Sequence, residues 1–227
     1  MGEWLAKVYS KCVTNALVLH DVLIDGNAEY TSQIDLILIG NKGVYVIETK
    51  MFNDAKMYGD TQKSKWSYYN HGKKYEIYSP LKQNQKHVAY LKKFLKDFGD
   101  VPFFSVIVMV CDDFKLKGSC GENTAICNSF PAMKRAIMQI SEDKPEVIAD
   151  VKKQEIYEFI KSNQHIGKAA REEHKQNVIQ YKKELEEFEK EKMCPYCKEK
   201  LVLRNGKNGE FYGCKNFPKC RYTLKKQ

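Results

Sequence analysis

Apolar positions come in short runs through the first half of the chain. Long charged stretches of helical period follow. "LVLHDVLI" from Leu17, "QIDLILIG" from Gln33, "VYVIETK" from Val44 and "FFSVIVMVC" from Phe103 read as strands. "KSKWSYYN" and "KKYEIYS" flank an "NHG" turn and read as a hairpin, and "TAIC" as a further short strand. Trp4, Leu5, Val8 and Cys12 recur at helical spacing. Pro80 opens a helix over "LKQNQKHVAYLKKFLKDF", with Leu81, Val88, Leu91, Leu95 and Phe98 on one stripe and Gly99 at its end. "FPAMKRAIMQI" predicts another helix. From about Pro145 to Met193 the chain is helix-forming and charged. There Val178, Tyr181, Leu185 and Phe188 repeat at 3-4-3 spacing, which fits a short coiled-coil seam but is too brief to establish one; a helical linker packing on the main domain is expected.

Length and composition narrow this picture. The 227 residues suffice for one domain with an appendage, or two small domains, and 43% hydrophobic content supports a true core. No apolar run approaches membrane-spanning length. The N-terminus lacks a signal peptide, and Ala6 breaks the myristoylation pattern, so a cytoplasmic protein without a membrane partner is expected. The net charge of +9 is uneven. From Cys194 onward nine Lys or Arg face only Glu199 and Glu210, so that tail carries +7 and the rest +2. Such a basic module suits a polyanion, nucleic acid first, or else serves as a solubilising tail.

Gly40-Asn41-Lys42-Gly43 is a strong turn signal. A two-residue loop at Asn41–Lys42 places Ile39 opposite Val44 and Asp35 opposite Glu48, with Lys50 on the same face opposite Gln33. Two opposed carboxylates repel in a plain sheet, so something positive belongs between them. Lys50 supplies part of that charge, and a hard divalent cation, Mg²⁺ or Mn²⁺, supplies it better. A cation there would polarise a phosphate, with Lys50 orienting or deprotonating a water or holding the phosphate. The same residues also fit a solvated strand face with a structural Lys–Glu pair.

Asp, a strand turn and Glu-x-Lys resemble the PD-(D/E)XK nuclease motif. "QIDLILIGNKGVYVIETK", with "GEWLAKV", "KWSYYN" and "YSPLKQNQKHV", is similar to the NERD (nuclease-related) domain, over Gly2 to the region near Phe130. The resemblance implies Asp35 and Glu48 as ligands of Mg²⁺ or Mn²⁺ and Lys50 as catalytic lysine. It further implies Gln83 and Glu3 near the metal. Glu3 fits equally a first-turn acid that favours the helix dipole. Relatives often carry His after the aspartate, where this chain has Leu36, and more residues before the first helix, so Glu3 is expected to fray. His87, one turn after Gln83, reads as a surface helix histidine bordering the site at most.

The eight cysteines include Cys194-x2-Cys197 and, after sixteen residues, Cys214-x5-Cys220. Four thiolates at this spacing predict one closed, tetrahedral structural Zn²⁺ site. Cys12, Cys111, Cys120 and Cys127 show no ligand pattern and read as buried or free thiols. "CPYCKEKLVLRNGKNGEFYGCKNFPKCRYT" resembles the C4 zinc ribbon at the C-terminus of bacterial type I topoisomerases, which implies binding of single-stranded DNA. Nothing upstream resembles the topoisomerase catalytic core. Phe211, Tyr212, Phe217 and Tyr222 offer stacking faces among Arg204, Lys207, Lys215, Lys219 and Arg221, with about half of the aromatics expected in the ribbon's own core.

The expectation is therefore an α/β protein. Residues 1–130 would form a restriction-endonuclease-like mixed sheet flanked by helices, 131–192 a helical linker, and 193–227 a β zinc ribbon. Function is expected to be metal-dependent DNA hydrolysis on single-stranded or structured DNA. The alternative is a DNA-binding protein that keeps the nuclease fold without cutting.

Overall fold

Strand β1 (Leu17–Asp25), β2 (Thr31–Gly40) and β3 (Gly43–Met51) form an antiparallel meander around the Asn41–Lys42 turn. The computed structural model describes residues 15–26, 30–206 and 209–225. The helix expected around Trp4–Cys12, with Glu3, lies outside them, as does Lys207. Gly40 pairs with Gly43 and Leu36 with Ile47, the register that a two-residue loop requires. Gly43 admits no side chain, because a Cβ there would lie 2.6 Å from the Pro102 carbonyl oxygen.

The chain then leaves this sheet. β4 (Ala55–Asp60), β5 (Lys65–Asn70) and β6 (Lys73–Tyr78) form an antiparallel trio. Helix α1 (Pro80–Phe94) follows, capped by Ser79, whose Oγ accepts the Lys82 N–H. A short 3-10 turn at Lys96–Phe98 ends the helical stretch at Gly99. β7 (Phe103–Val110) returns parallel to β3, β8 (Asp113–Lys117) joins β4, and β9 (Thr124–Cys127) pairs parallel with β7. The result is a five-stranded mixed sheet, β1-β2-β3-β7-β9, and a four-stranded sheet, β6-β5-β4-β8.

Helices cover both faces of the larger sheet. Met133, Ala136 and Ile137 of α2 (Phe130–Ser141) pack on Leu36, Leu38, Tyr45, Ile47, Phe104 and Val106. On the other face, Leu91 and Leu95 with Ile156 and Ile160 of α3 (Asp150–Asn163) cover Ile37, Ile39, Val44 and Val46. The turn residues tie these layers together. Lys42 Nζ donates to the Ser141 and Glu142 carbonyls at the end of α2, and Asn41 Nδ2 donates to the Ile148 carbonyl before α3.

Helix α4 (Lys168–Lys190) falls in a second compact unit, residues 168–227, with β10 (Leu201–Gly206), β11 (Gly209–Cys214) and β12 (Thr223–Lys225). The region 131–192 is thus divided. Its first part completes the α/β unit, residues 1–167, because α2 and α3 bury apolar stripes against the sheet. Helix α4 buries no residue. Among the described residues, no helix is long and apolar enough to cross a membrane.

Candidate active site and zinc centre

Asp35 and Glu48 sit where β2 and β3 part. The backbone ladder stops at Leu36–Ile47, and the Asp35 carboxylate takes over, accepting the Thr49 N–H at 2.8 Å. β1 is irregular at the same level. His20 pairs with Leu36 and Val22 with Ile34, while Asp21 between them adopts φ 55. The simple alternation expected of β2 breaks here: Leu36 joins the α2 face, whereas Ile34 and Ile37 both join the α1 face. Asp35 is exposed at its surface, yet desolvation by the groups packed around it, and the Glu48 carboxylate second, hold its carboxyl above its ordinary value, against the pull of the Thr49 N–H and Lys50.

Glu48 is fully buried. Lys50 Nζ lies 2.6 Å from its Oε1, and His87 Nε2 3.4 Å from its Oε2. Yet neither carboxylate oxygen accepts a well-directed hydrogen bond among the described residues. Lys50 keeps 29% of its side chain exposed, so it joins the buried acid to the solvent side.

Helix α1 brings the remaining groups. Gln83 Nε2 lies 3.3 Å from His87 Nε2, and His87 Nδ1 lies 2.7 Å from Ser32 Oγ. Gln83 therefore meets the acids through His87. His87 is not the surface residue that the sequence suggested, for it is only 7% exposed. The signal was its position on the helix stripe: Leu81, Asn84, His87 and Leu91 are all buried along one side of α1. Asn84, also unanticipated, locks that side down. Its Nδ2 donates to the Val46 carbonyl and Ser105 Oγ, each at 2.9 Å.

Two neighbouring carboxylates, one buried without directed hydrogen bonds and one with a raised pKa, fit a hard cation. Among the described residues, only the cysteine quartet gathers three or more ligand atoms within 4.8 Å. A cation at Asp35 and Glu48 would thus keep positions for water and phosphate, as Mg²⁺ commonly does.

The quartet suits zinc. Cys194 and Cys220 Sγ atoms are 3.5 Å apart, and Cys197 and Cys214 Sγ atoms 3.3 Å apart. Zn–S bonds of ~2.3 Å in a tetrahedron set sulfurs about 3.8 Å apart. Burial pushes the Cys214 thiol up to about 12, whereas the Glu199 N–H pulls the Cys197 thiol down, and a cation among the sulfurs would favour the thiolate form of Cys214. The Asn216 N–H points at Cys214 Sγ from 3.4 Å. Around the quartet, Tyr212 and Tyr222 pack against Leu201 in the ribbon core. Phe211 is half-buried, and Phe217 is 58% exposed with the Arg204 guanidinium over its ring. Lys215, Lys219 and Arg221 are exposed. One further aromatic escaped the sequence reading: Tyr196, 65% exposed in the first knuckle, edge-on to Tyr222.

Residues 1–110 match the family of the nuclease-related domain, and residues 191–227 that of the topoisomerase DNA binding C4 zinc finger. A stretch of 41 residues is similar to part of DNA topoisomerase 1 of Methanocaldococcus jannaschii, 51% identical over 18% of this chain and 5% of that protein. A shorter stretch is 60% identical to DNA topoisomerase 1 of Methanothermobacter thermautotrophicus, over 13% of this chain and 4% of that protein. An uncharacterized protein of Bacillus anthracis is 33% identical over 38% of this chain, which spans 44% of that protein. The chain thus covers less than half the length of each of these relatives. No solved structure matches the chain.

Proposed function

From a chain that joins a nuclease-related domain to a topoisomerase-type C4 zinc ribbon, we propose a metal-dependent deoxyribonuclease of the PD-(D/E)XK kind. It hydrolyses phosphodiester bonds in single-stranded or structured DNA gripped by the ribbon. The buried Glu48 carboxylate carries this reading: it sits beside Asp35, pairs with Lys50 and lacks directed hydrogen bonds.

Asp35 and Glu48 would hold Mg²⁺ or Mn²⁺, which when bound polarises a phosphate oxygen and acidifies a water. Lys50 orients that water as it attacks phosphorus or, in its neutral amine form, takes its proton; the bond to the leaving oxygen breaks and that oxygen takes a proton from solvent. Gln83 and His87 are positioning residues, Gln83 meeting the His87 ring and His87 bordering Glu48 from α1. The ribbon contributes exposed Phe217, Tyr196 and basic side chains for strand binding. Such a protein acts in the cytoplasm, where reduced thiols keep the quartet ready for zinc. The topoisomerase family model matches residues 191–227, and strand passage is left out of the proposal.

The test is cleavage of plasmid and single-stranded DNA with Mg²⁺ or Mn²⁺, by the parent and by Lys50→Ala. The variant is expected to lose ~10²–10⁴ in rate while still binding DNA. Full cleavage by Lys50→Ala would end the assignment. DNA binding without cleavage by the parent would make the protein a binder that retains a nuclease fold.

A further inference from the structure

Phe52, Tyr68 and Tyr75 form a row of rings that begins two residues beyond Lys50. Phe52 and Tyr68 have centroids 4.8 Å apart, and Tyr68 and Tyr75 are 5.0 Å apart with planes inclined by 18°. Alternation along β3 explains the start. Glu48, Lys50 and Phe52 share one face, and pairing with β7 continues through the Phe52 N–H to the Val110 carbonyl at 2.8 Å. β5 and β6 supply the rest, because Tyr68 and Tyr75 are directly opposed.

Burial falls along the row. Phe52 and Tyr68 are half-buried, while Tyr75, on edge strand β6, is 43% exposed. Lys73 is exposed and shares the face of Tyr75, two residues before it. The row therefore runs between two lysines, Lys50 at the acids and Lys73 at the edge. A cross-strand aromatic pair stabilises a sheet by itself. That role requires neither a ring open to solvent at the edge nor a cation at each end.

We propose that this row is a stacking platform for unpaired bases of a single strand whose backbone enters the Asp35–Glu48–Lys50 site. The proposal rests on the nuclease reading of that site. Every base has a π face, so stacking on Tyr75 is tolerant of sequence, and Lys73 and Lys50 match the phosphates on either side. Bases inside a duplex are already paired and stacked and offer no free face. The α/β unit then favours an unpaired strand on its own account, apart from the ribbon.

The experiment uses the full chain with zinc in place and no added divalent cation. A short single-stranded DNA carrying iodouracil is bound, irradiated, and its adducts are mapped by mass spectrometry. In parallel, single-strand affinity is measured for Tyr75→Phe, Tyr75→Leu and Tyr75→Ala, each checked for an unchanged melt. Adducts on Tyr75 or Tyr68 are expected, with affinity about tenfold lower for Leu and Ala and retained by Phe. Adducts confined to residues 168–227, or parental affinity in a folded Tyr75→Leu, overturn the platform. Neither readout uses cleavage. Crosslinking without cleavage would count against the nuclease alone, and cleavage without crosslinking against the platform alone.

Discussion

At the residue scale, the main tension lies in Asp35. Although its surface is exposed, desolvation by the groups packed around it, and then Glu48, hold its folded pKa above the ordinary 3.8. The folded state therefore binds the proton more tightly than the unfolded chain. The stability this contributes is full below the unfolded value and is lost as pH rises through the folded one. Asp35→Asn removes that loss while keeping an acceptor for the Thr49 N–H. Without divalent cation, the variant should melt above the parent at neutral pH, with the difference shrinking toward acid. Added Mg²⁺ or Mn²⁺ should raise the parent's melting temperature and leave the variant's nearly unchanged. A variant that melts below the parent at every pH would mean that the carboxylate is structural. His87 adds a second residue-scale expectation. Replacing it by Ala removes the ring that borders Glu48 Oε2 and leaves Ser32 Oγ without its partner, so divalent-cation affinity should fall, while His87→Gln recovers part of it.

Helix α1 is the element on which the site depends. Its apolar stripe holds it to the sheet, and Asn84 fixes its height through two donated bonds. Asn84→Ala removes the donor to Ser105 Oγ and to the Val46 carbonyl, which keeps its place in the β3–β7 ladder, and should cost about 0.5–1.5 kcal/mol in urea unfolding. Because Gln83 and His87 ride on the same helix, cation affinity should fall with it. Lys42→Ala tests a different joint, the end of α2. That contact lies at a partly exposed helix terminus, so about 0.3–1 kcal/mol is expected, with no effect on cation affinity. An Asn84→Ala protein as stable as its parent would show that the stripe alone seats the helix.

The whole molecule comprises two compact units, residues 1–167 and 168–227. The tail from Cys194 carries +7 of the net +9. Its small core centres on Cys194, Cys214 and Leu201, too little to fold without a cation at the sulfurs. Strong chelation should release about one Zn²⁺ per chain and abolish the ribbon's chemical-shift dispersion. The melt of residues 1–167 should stay in place. DNA binding should weaken, and the slope of affinity against salt should flatten, because each lost phosphate contact removes about one released counterion. Unchanged DNA affinity after zinc loss would move the main grip to the α/β unit.

The sequence by itself determined whatever rests on short spacing. The Gly40–Gly43 turn, the register to Leu36–Ile47, the helix opened by Pro80 and the cysteine quartet all depend on residues close along the chain. In such cases local conformational preference and thiolate chemistry leave few alternatives. Tertiary structure decided what depends on distant partners. β4 and β8 were not foreseen, since Gly59, Asp60 and the lysines of "DFKLK" suit a strand only once Lys56 meets Asp113 across the sheet. The kink at Asp21 that frees Asp35 from regular pairing depends on a second strand. His87 and Asn84 are ordinary polar residues of a helix until that face is pressed onto β3 and β7, where each must find a partner or pay for its desolvation. The acids are written in the sequence, but their surroundings are made by packing.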